Sequence, residues 1–249
     1  MAMTLDGSLG VTFNDASLQG AAASPYVLKN RIINGDMRID QRNAGASVTP
    51  ANSYTLDRWY AAVSQTSKFT VQQNAGSVTP PSGYKNYLGV TSSSAYSVLT
   101  GDYFMISQRI EGYNFADLMF GTASAQTFTF SFWVRSSLTG TFGGSFQGAA
   151  SATLRSYPFS YTISSANTWE QKTITVAGDT FTNTWDSTNG IGLFVNFGLG
   201  AGASASGTAG TWASANYANA TGATSVVGTN GATFYITGVQ LEVGSTATP

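Results

Sequence analysis

Residues 233–243 (TFYITGVQLEV) place Phe234 and Ile236 on one phase of a two-residue alternation and Val239, Leu241 and Val243 on the other. Successive side chains of a strand point to opposite faces, so a half-buried strand keeps a single apolar phase. A change of phase needs one extra residue in the strand. Gly238 sits where the phase changes and tolerates the backbone such a residue requires, which predicts a β-bulge there. Glu242 follows among apolar neighbours and needs a bonding partner. A closing strand with this much core content implies a closed β-architecture.

The rest of the chain reads the same way. In TFTFSFWVR, Phe128, Phe130, Phe132 and Val134 share one face, and Thr127, Thr129, Ser131, Trp133 and Arg135 the other. YFMISQRIEG places Phe104, Ile106 and Ile110 together. YPFSYTI presents Tyr157, Phe159, Tyr161 and Ile163, QKTITV presents Ile174 and Val176, and IGLFVNF presents Ile191, Leu193, Val195 and Phe197. KFTVQQ and NYLGV read as strands parted by the turn-forming Pro80-Pro81-Ser82-Gly83. YTLDRWYAAV reads as one strand with Asp57 and Arg58 embedded in it, part-buried and bonded. Asn34-Gly35 is a hairpin signal on local rules. One short helix is expected over NFADLMF, capped by Asn114 and stopped by Gly121. GLGAGASASGTAGT (198–211) reads as a low-complexity loop excursion. Short strands divided by turn signals, with almost no helix, give the expected fold class: all-β, a two-sheet jelly-roll sandwich with one short helix. Residues 30–249 form the globular domain. Residues 1–29 hold too little apolar material for a core and read as an extended N-terminal arm, either an unstructured terminus or a segment ordered by packing against copies or a socket.

Composition narrows the function. Only 9% of the 249 residues are charged, against roughly a quarter in an ordinary soluble domain, while the apolar share is 42%. The surface is therefore built from Ser, Thr, Asn, Gln and Gly, which suits an assembly component or a protein working outside cells. A net charge of −1 without a basic stripe gives no electrostatic basis for binding nucleic acid or an anionic membrane. No apolar run approaches a membrane span, and MAMTLDGSLG has neither part of a cleavable signal. Assembly in the cytoplasm and release by lysis is the expected route outward.

The absence of His and Cys removes the usual general base, thiol chemistry and nearly every zinc site. A glycosidase needs two carboxylates across a cleft, which twelve acids permit without marking a pair, so the chain reads as non-enzymatic. Sugar binding needs aromatic faces rimmed by polar side chains. Trp133 faces away from the Phe128–Phe132 row, and Trp185 and Trp212 lie in polar, glycine-rich stretches. They are the candidate glycan-binding residues, set against the alternative of ordinary packing or subunit contacts.

Several phrases in order (NRIINGDMRIDQR, YTLDRWY, QRIEG, FTFSFWVRSS, NTWEQKTITV and ITGVQLEVGSTATP) resemble a family of bacteriophage tail-fibre domains with a jelly-roll, carbohydrate-binding-module-like fold. The resemblance runs from about Asn30 to Pro249, and GVTFNDASLQ is similar to a phrase near the attachment end of phage fibres. It implies that NRIINGDMRIDQR opens the first strand with a kink at Asn34-Gly35, rather than forming a hairpin. It implies a virion protein, commonly a homotrimer, that touches host surface polysaccharide; residues 1–29 would contact other tail or baseplate proteins. A short fibre or a docked domain is expected, and the alternative is an adaptor, collar fibre or decoration protein that binds no glycan. Jelly-roll carbohydrate modules often hold a structural calcium between opening and closing strands, which here makes Asp36 and Glu242 the candidate ligands. The competing expectation is that these carboxylates bond to Arg38 or Arg58 and bind no metal.

Overall fold

The structure, a computed structural model, describes residues 29–149, 154–182 and 185–248, and the backbone of three short strands nearer the start. These are β1 (Thr4–Asp6), β2 (Gly10–Thr12) and β3 (Leu18–Gln19), which pair antiparallel in that order. Otherwise the expected 1–29 arm and its attachment role lie outside the described residues.

The domain strands are β4 (Ser53–Leu56), β5 (Trp59–Val63), β6 (Phe69–Gln73), β7 (Leu88–Ser92) and β8 (Tyr103–Glu111). They continue as β9 (Phe128–Ser136), β10 (Gly140–Gln147), β11 (Ser156–Ile163), β12 (Glu170–Val176) and β13 (Ile191–Ala201). The two-residue strands β14 (Ser206–Gly207) and β15 (Asn219–Ala220) precede the closing β16 (Thr233–Val243). One antiparallel sheet has the order β11-β10-β13-β8-β5-β4 and the other β12-β9-β16-β7-β6. The chain passes repeatedly from one sheet to the other, as in a jelly roll.

Phenylalanines hold the sheets together. Phe128, Phe130 and Phe132 of β9 are fully buried. Phe128 and Phe130 meet Phe146 of β10 nearly edge-on at 4.9 and 5.2 Å, and Phe132 meets Phe197 of β13 at 5.0 Å. Edge-to-face contacts set the electropositive rim of one ring against the electronegative face of the next, each adding about 0.5–1.5 kcal/mol beyond the burial itself.

The bulge in β16 lies where the alternation changes phase. Its register against β9 shifts between Thr237 and Gln240, and Gly238 has φ 58°. The expected first strand and its kink are replaced by an irregular segment with a turn over Asn34–Met37. It lies along β16 through Arg31 N–H to Leu241 O and Val239 N–H to Gly35 O. The buried Gln108 both donates to and accepts from the Ile33 backbone, and the Trp59 indole donates to Asn34 O at 3.0 Å. These long-range bonds, rather than a ladder, satisfy the segment's backbone.

Three further expectations are corrected. YTLDRWYAAV is a hairpin, with Asp57-Arg58 as the turn between β4 and β5 and Arg58 at φ 72°. Both residues are bonded, as expected. NFADLMF yields no helix but one 3-10 turn, Ala116–Leu118, following another at Gly112–Asn114; its N-cap is Phe115 rather than Asn114, and Met119 enters the left-handed region and ends it within one turn. Residues 198–201, expected in a loop, complete β13. Among the described residues no helix is long and apolar enough to cross a membrane.

A Cβ at Gly238 would lie 2.5 Å from the Tyr84 ring at a φ that L-residues rarely adopt. Gly238→Ala is therefore expected to lower unfolding stability by about 1–3 kcal/mol in urea denaturation. Gly101→Ala, where a Cβ meets nothing within 4 Å, changes it by less than about 0.5 kcal/mol.

Candidate glycan-binding groove

A groove of about 520 Å³ lies on the outward face of the six-stranded sheet. Its floor follows from register. Tyr60 of β5 is opposite Ser107 of β8, which is opposite Asn196 of β13, itself opposite Ser145 of β10. The adjacent row runs from Arg109 through Phe194 to Gln147. The intervening residues Ile106, Ile110, Val195, Phe197 and Phe146 face the core and are buried. The same strands therefore seal the sandwich on one side and present polar and aromatic groups on the other.

The wall on the β10–β13 side comes from the stretch after β13. Gly143 and Gly198 have no room for a Cβ because Asn219 of β15 lies against them. This close approach lets β14 and β15 pack on the sheet and bring Ala205, Asn216 and Ala218 to the groove. Polar side chains join wall to floor. Asn196 Nδ2 donates to Ser145 Oγ at 3.1 Å and Gln147 Oε1 at 2.7 Å, and Gln147 Nε2 donates to Asn216 Oδ1 and Tyr217 O, both at 2.8 Å. Tyr60 donates its hydroxyl to Asn52 O at 2.6 Å and takes the Tyr54 ring edge-on at 5.2 Å. Tyr103 and Met105 line the remaining floor. No carboxylate lines the groove among the described residues.

Beside it, Glu111 is bonded to Arg58 at 2.5 Å. Burial disfavours the charged carboxylate, but the hydrogen bond and charge of Arg58, with Asn114, outweigh it and hold this carboxyl below the usual glutamate range.

The three tryptophans do not line the groove. Trp185 and Trp212 meet edge-on at 5.4 Å, and both pack on Phe120. Their indole N–H groups donate to Asp179 and to Ala177 O, and Asp179 also receives a buried two-pronged contact from Arg155. Trp133 lies apart, half-buried on the five-stranded sheet and opposite Gln171 and Thr237. Asp36 is paired with Arg38 at 2.6 Å. Glu242, 3% exposed, receives the hydroxyl and backbone N–H of Thr248. Each of the two carboxylates is thus bonded within the chain, and no group of three or more acidic side chains gathers among the described residues.

Tyr60, Tyr103, Arg109 and Phe194, which line the groove, were not singled out from the sequence. Phe194 carried a usable signal: it is a bulky aromatic on the phase opposite Leu193, Val195 and Phe197, so it must point away from the core.

No family model matches the chain, and no curated protein matches it. Solved structures do. A protein of Bacteroides thetaiotaomicron VPI-5482 described as a candidate sugar binding protein shares 12% identity, with 86% of this chain and 100% of that one covered at a TM-score of 0.52. The enzymatically active domain of tailspike protein 4 from bacteriophage CBA120 also shares 12% identity, over 86% of this chain, at a TM-score of 0.45. The match spans 21% of that tailspike chain. The CBM22-2 xylan-binding domain of Paenibacillus barcinonensis Xyn10C shares 16% identity over 80% of this chain and 99% of its own, at 0.41. The first of these likenesses establishes a shared fold.

The depressed pKa of Glu111 means that its contribution to stability is present above the unfolded-state value and is lost as pH falls through the folded one. A carbon-detected NMR titration is expected to give a midpoint below the ordinary value of about 4.3. Arg58→Gln should move that midpoint upward.

Proposed function

We propose that this chain is a non-enzymatic fibre protein of a phage virion whose jelly-roll domain, residues 30–249, binds host surface polysaccharide in the groove. The carrying observation is the groove itself. A sugar ring needs an apolar face to lie on and fixed hydrogen-bonding groups for its hydroxyls. The Arg109–Phe194–Gln147 row sets an outward aromatic beside an anchored amide, and Tyr60 and Tyr103 add further aromatic surface. The volume of about 520 Å³ falls within the range of small-molecule sites. Description of a similar fold as sugar-binding supports the same reading. A groove without carboxylates, among the described residues, favours binding over glycoside hydrolysis, which requires a pair of them.

The virion placement is supported by the ordered tail-fibre phrases and by the sparsely charged surface. In this reading residues 1–29 join the domain to other tail or baseplate proteins, and the fibre is a homotrimer.

Calorimetric titration of the purified protein against bacterial surface polysaccharides tests the proposal, together with its binding to intact cells and to cells stripped of polysaccharide. Saturable binding to at least one polymer is expected, and it should disappear from stripped cells. Phe194→Ala and Tyr60→Ala should each weaken it about tenfold or more, as truncation of a central aromatic anchor does. Trp133→Ala should leave it unchanged. Absence of binding by a folded oligomer would favour a structural virion component instead, and binding indifferent to both groove variants would move the site elsewhere.

A further inference from the structure

Arg109 is the one charged side chain lining the groove among the described residues. Its guanidinium lies 4.2 Å from the Tyr60 ring centroid, with the Tyr54 and Phe194 centroids at 5.7 and 5.8 Å. Its Nε is buried and has no hydrogen-bond partner.

The chain's other six arginines all have an acceptor. Arg31, Arg38, Arg42, Arg58 and Arg155 pair with carboxylates, and Arg135 donates to Asn167 O. Arg109 pairs with none of the described residues. Glu111, two positions along the same strand face, is already taken by Arg58. In a chain with only 9% charged residues, Arg109 is thus a half-buried cation in the groove with no carboxylate paired to it among the described residues, and a ligand can supply the counter-charge.

We propose that Arg109 is a specificity residue that selects saccharides bearing a carboxylate, such as uronic or sialic acids. This rests on the reading of the groove as a glycan site. The planar guanidinium matches a planar carboxylate and can donate two parallel hydrogen bonds to it. The stack on Tyr60 holds the guanidinium in place, so less side-chain freedom is lost on binding. Phe194 is opposite Arg109 on the neighbouring strand, about 5 Å away. A pyranose lying on Phe194 would thus extend its carboxylate toward Arg109 and its hydroxyls toward Gln147 on the other side.

The test uses the intact chain and paired probes: oligosaccharides of polygalacturonate, alginate, hyaluronan and polysialic acid, each beside its own carboxyl-reduced form. Reduction of –COOH to –CH2OH removes the charge and keeps the ring. At least one acidic probe is expected to bind about ten to a hundred times tighter than its reduced partner, the scale of a hydrogen bond to a charged group. Arg109→Gln should abolish that difference, and Arg109→Lys should retain part of it; circular dichroism establishes that each variant is folded. Equal binding of acidic and reduced forms by the unaltered protein would overturn the role of Arg109 and leave the groove as a neutral-glycan site. A preference that survives Arg109→Gln would also overturn it. Failure of the folded protein to bind any probe, acidic or reduced, would overturn this proposal; failure against the surface polysaccharides as well would remove the glycan reading beneath it.

Discussion

Everything in this domain depends on the interlocked phenylalanines between the two sheets. Phe128, Phe130 and Phe132 of β9 pack against Phe146 and Phe197 of the facing sheet with ring centroids 4.9 to 5.2 Å apart. Replacing one such ring by alanine in a close-packed core typically costs about 3–5 kcal/mol. The same contacts also position the groove. Phe197 is buried and Asn196 beside it points outward, so fixing the first fixes the height and register of the second. A binding surface on the back of a packed sheet needs little rearrangement to receive a ligand.

Around that interface the chain uses small and polar residues for specific tasks. Glycines at 143 and 198 allow Asn219 to lie on the sheet, and the groove wall follows from that approach. The amide groups of Asn196 and Gln147 hold floor and wall together without any charge. Buried charge is used rarely: Arg155 and Asp179 form a two-pronged contact that also receives the Trp185 indole, while the buried Asp102 and Glu242 are held by hydroxyl and backbone N–H groups. Among the arginines, Arg109 stands out as the one that pairs with no acceptor among the described residues.

Much of the fold was legible because strand periodicity is a direct record of burial. The inward phases of β8 and β9 are buried as expected, as are Leu193, Val195 and Phe197 of β13, whereas a register shift after Ile191 leaves that residue lining the groove; the bulge falls at Gly238 where the apolar phase changes. Periodicity was misread at the first hairpin. Leu56 and Trp59 both face the core although they are three positions apart, so the apolar phase flips across the two-residue turn; that flip and the polar Asp57-Arg58 step were the traces of the hairpin. The opening segment was misread because bonds to Gln108, Trp59 and β16 replace a ladder there, and such distant partners leave no local pattern. The glycine-rich 198–211 stretch looked loose because its small residues serve a layer of structure that composition cannot reveal. Candidate sugar-binding residues were chosen by type, which favoured the tryptophans. The structure instead gathers Trp185 and Trp212 into packing and assembles the groove from residues selected by phase, Phe194 above all.

The most direct measurement is an amide chemical-shift map of the isotope-labelled protein, recorded while a bound surface oligosaccharide is titrated to saturation. The account predicts perturbations concentrated on Tyr60, Arg109, Phe194, Asn196 and Gln147, with the strands around Trp133 unmoved. Perturbations centred on Trp133 and the five-stranded sheet would contradict it, because the ligand would then occupy the opposite face of the sandwich.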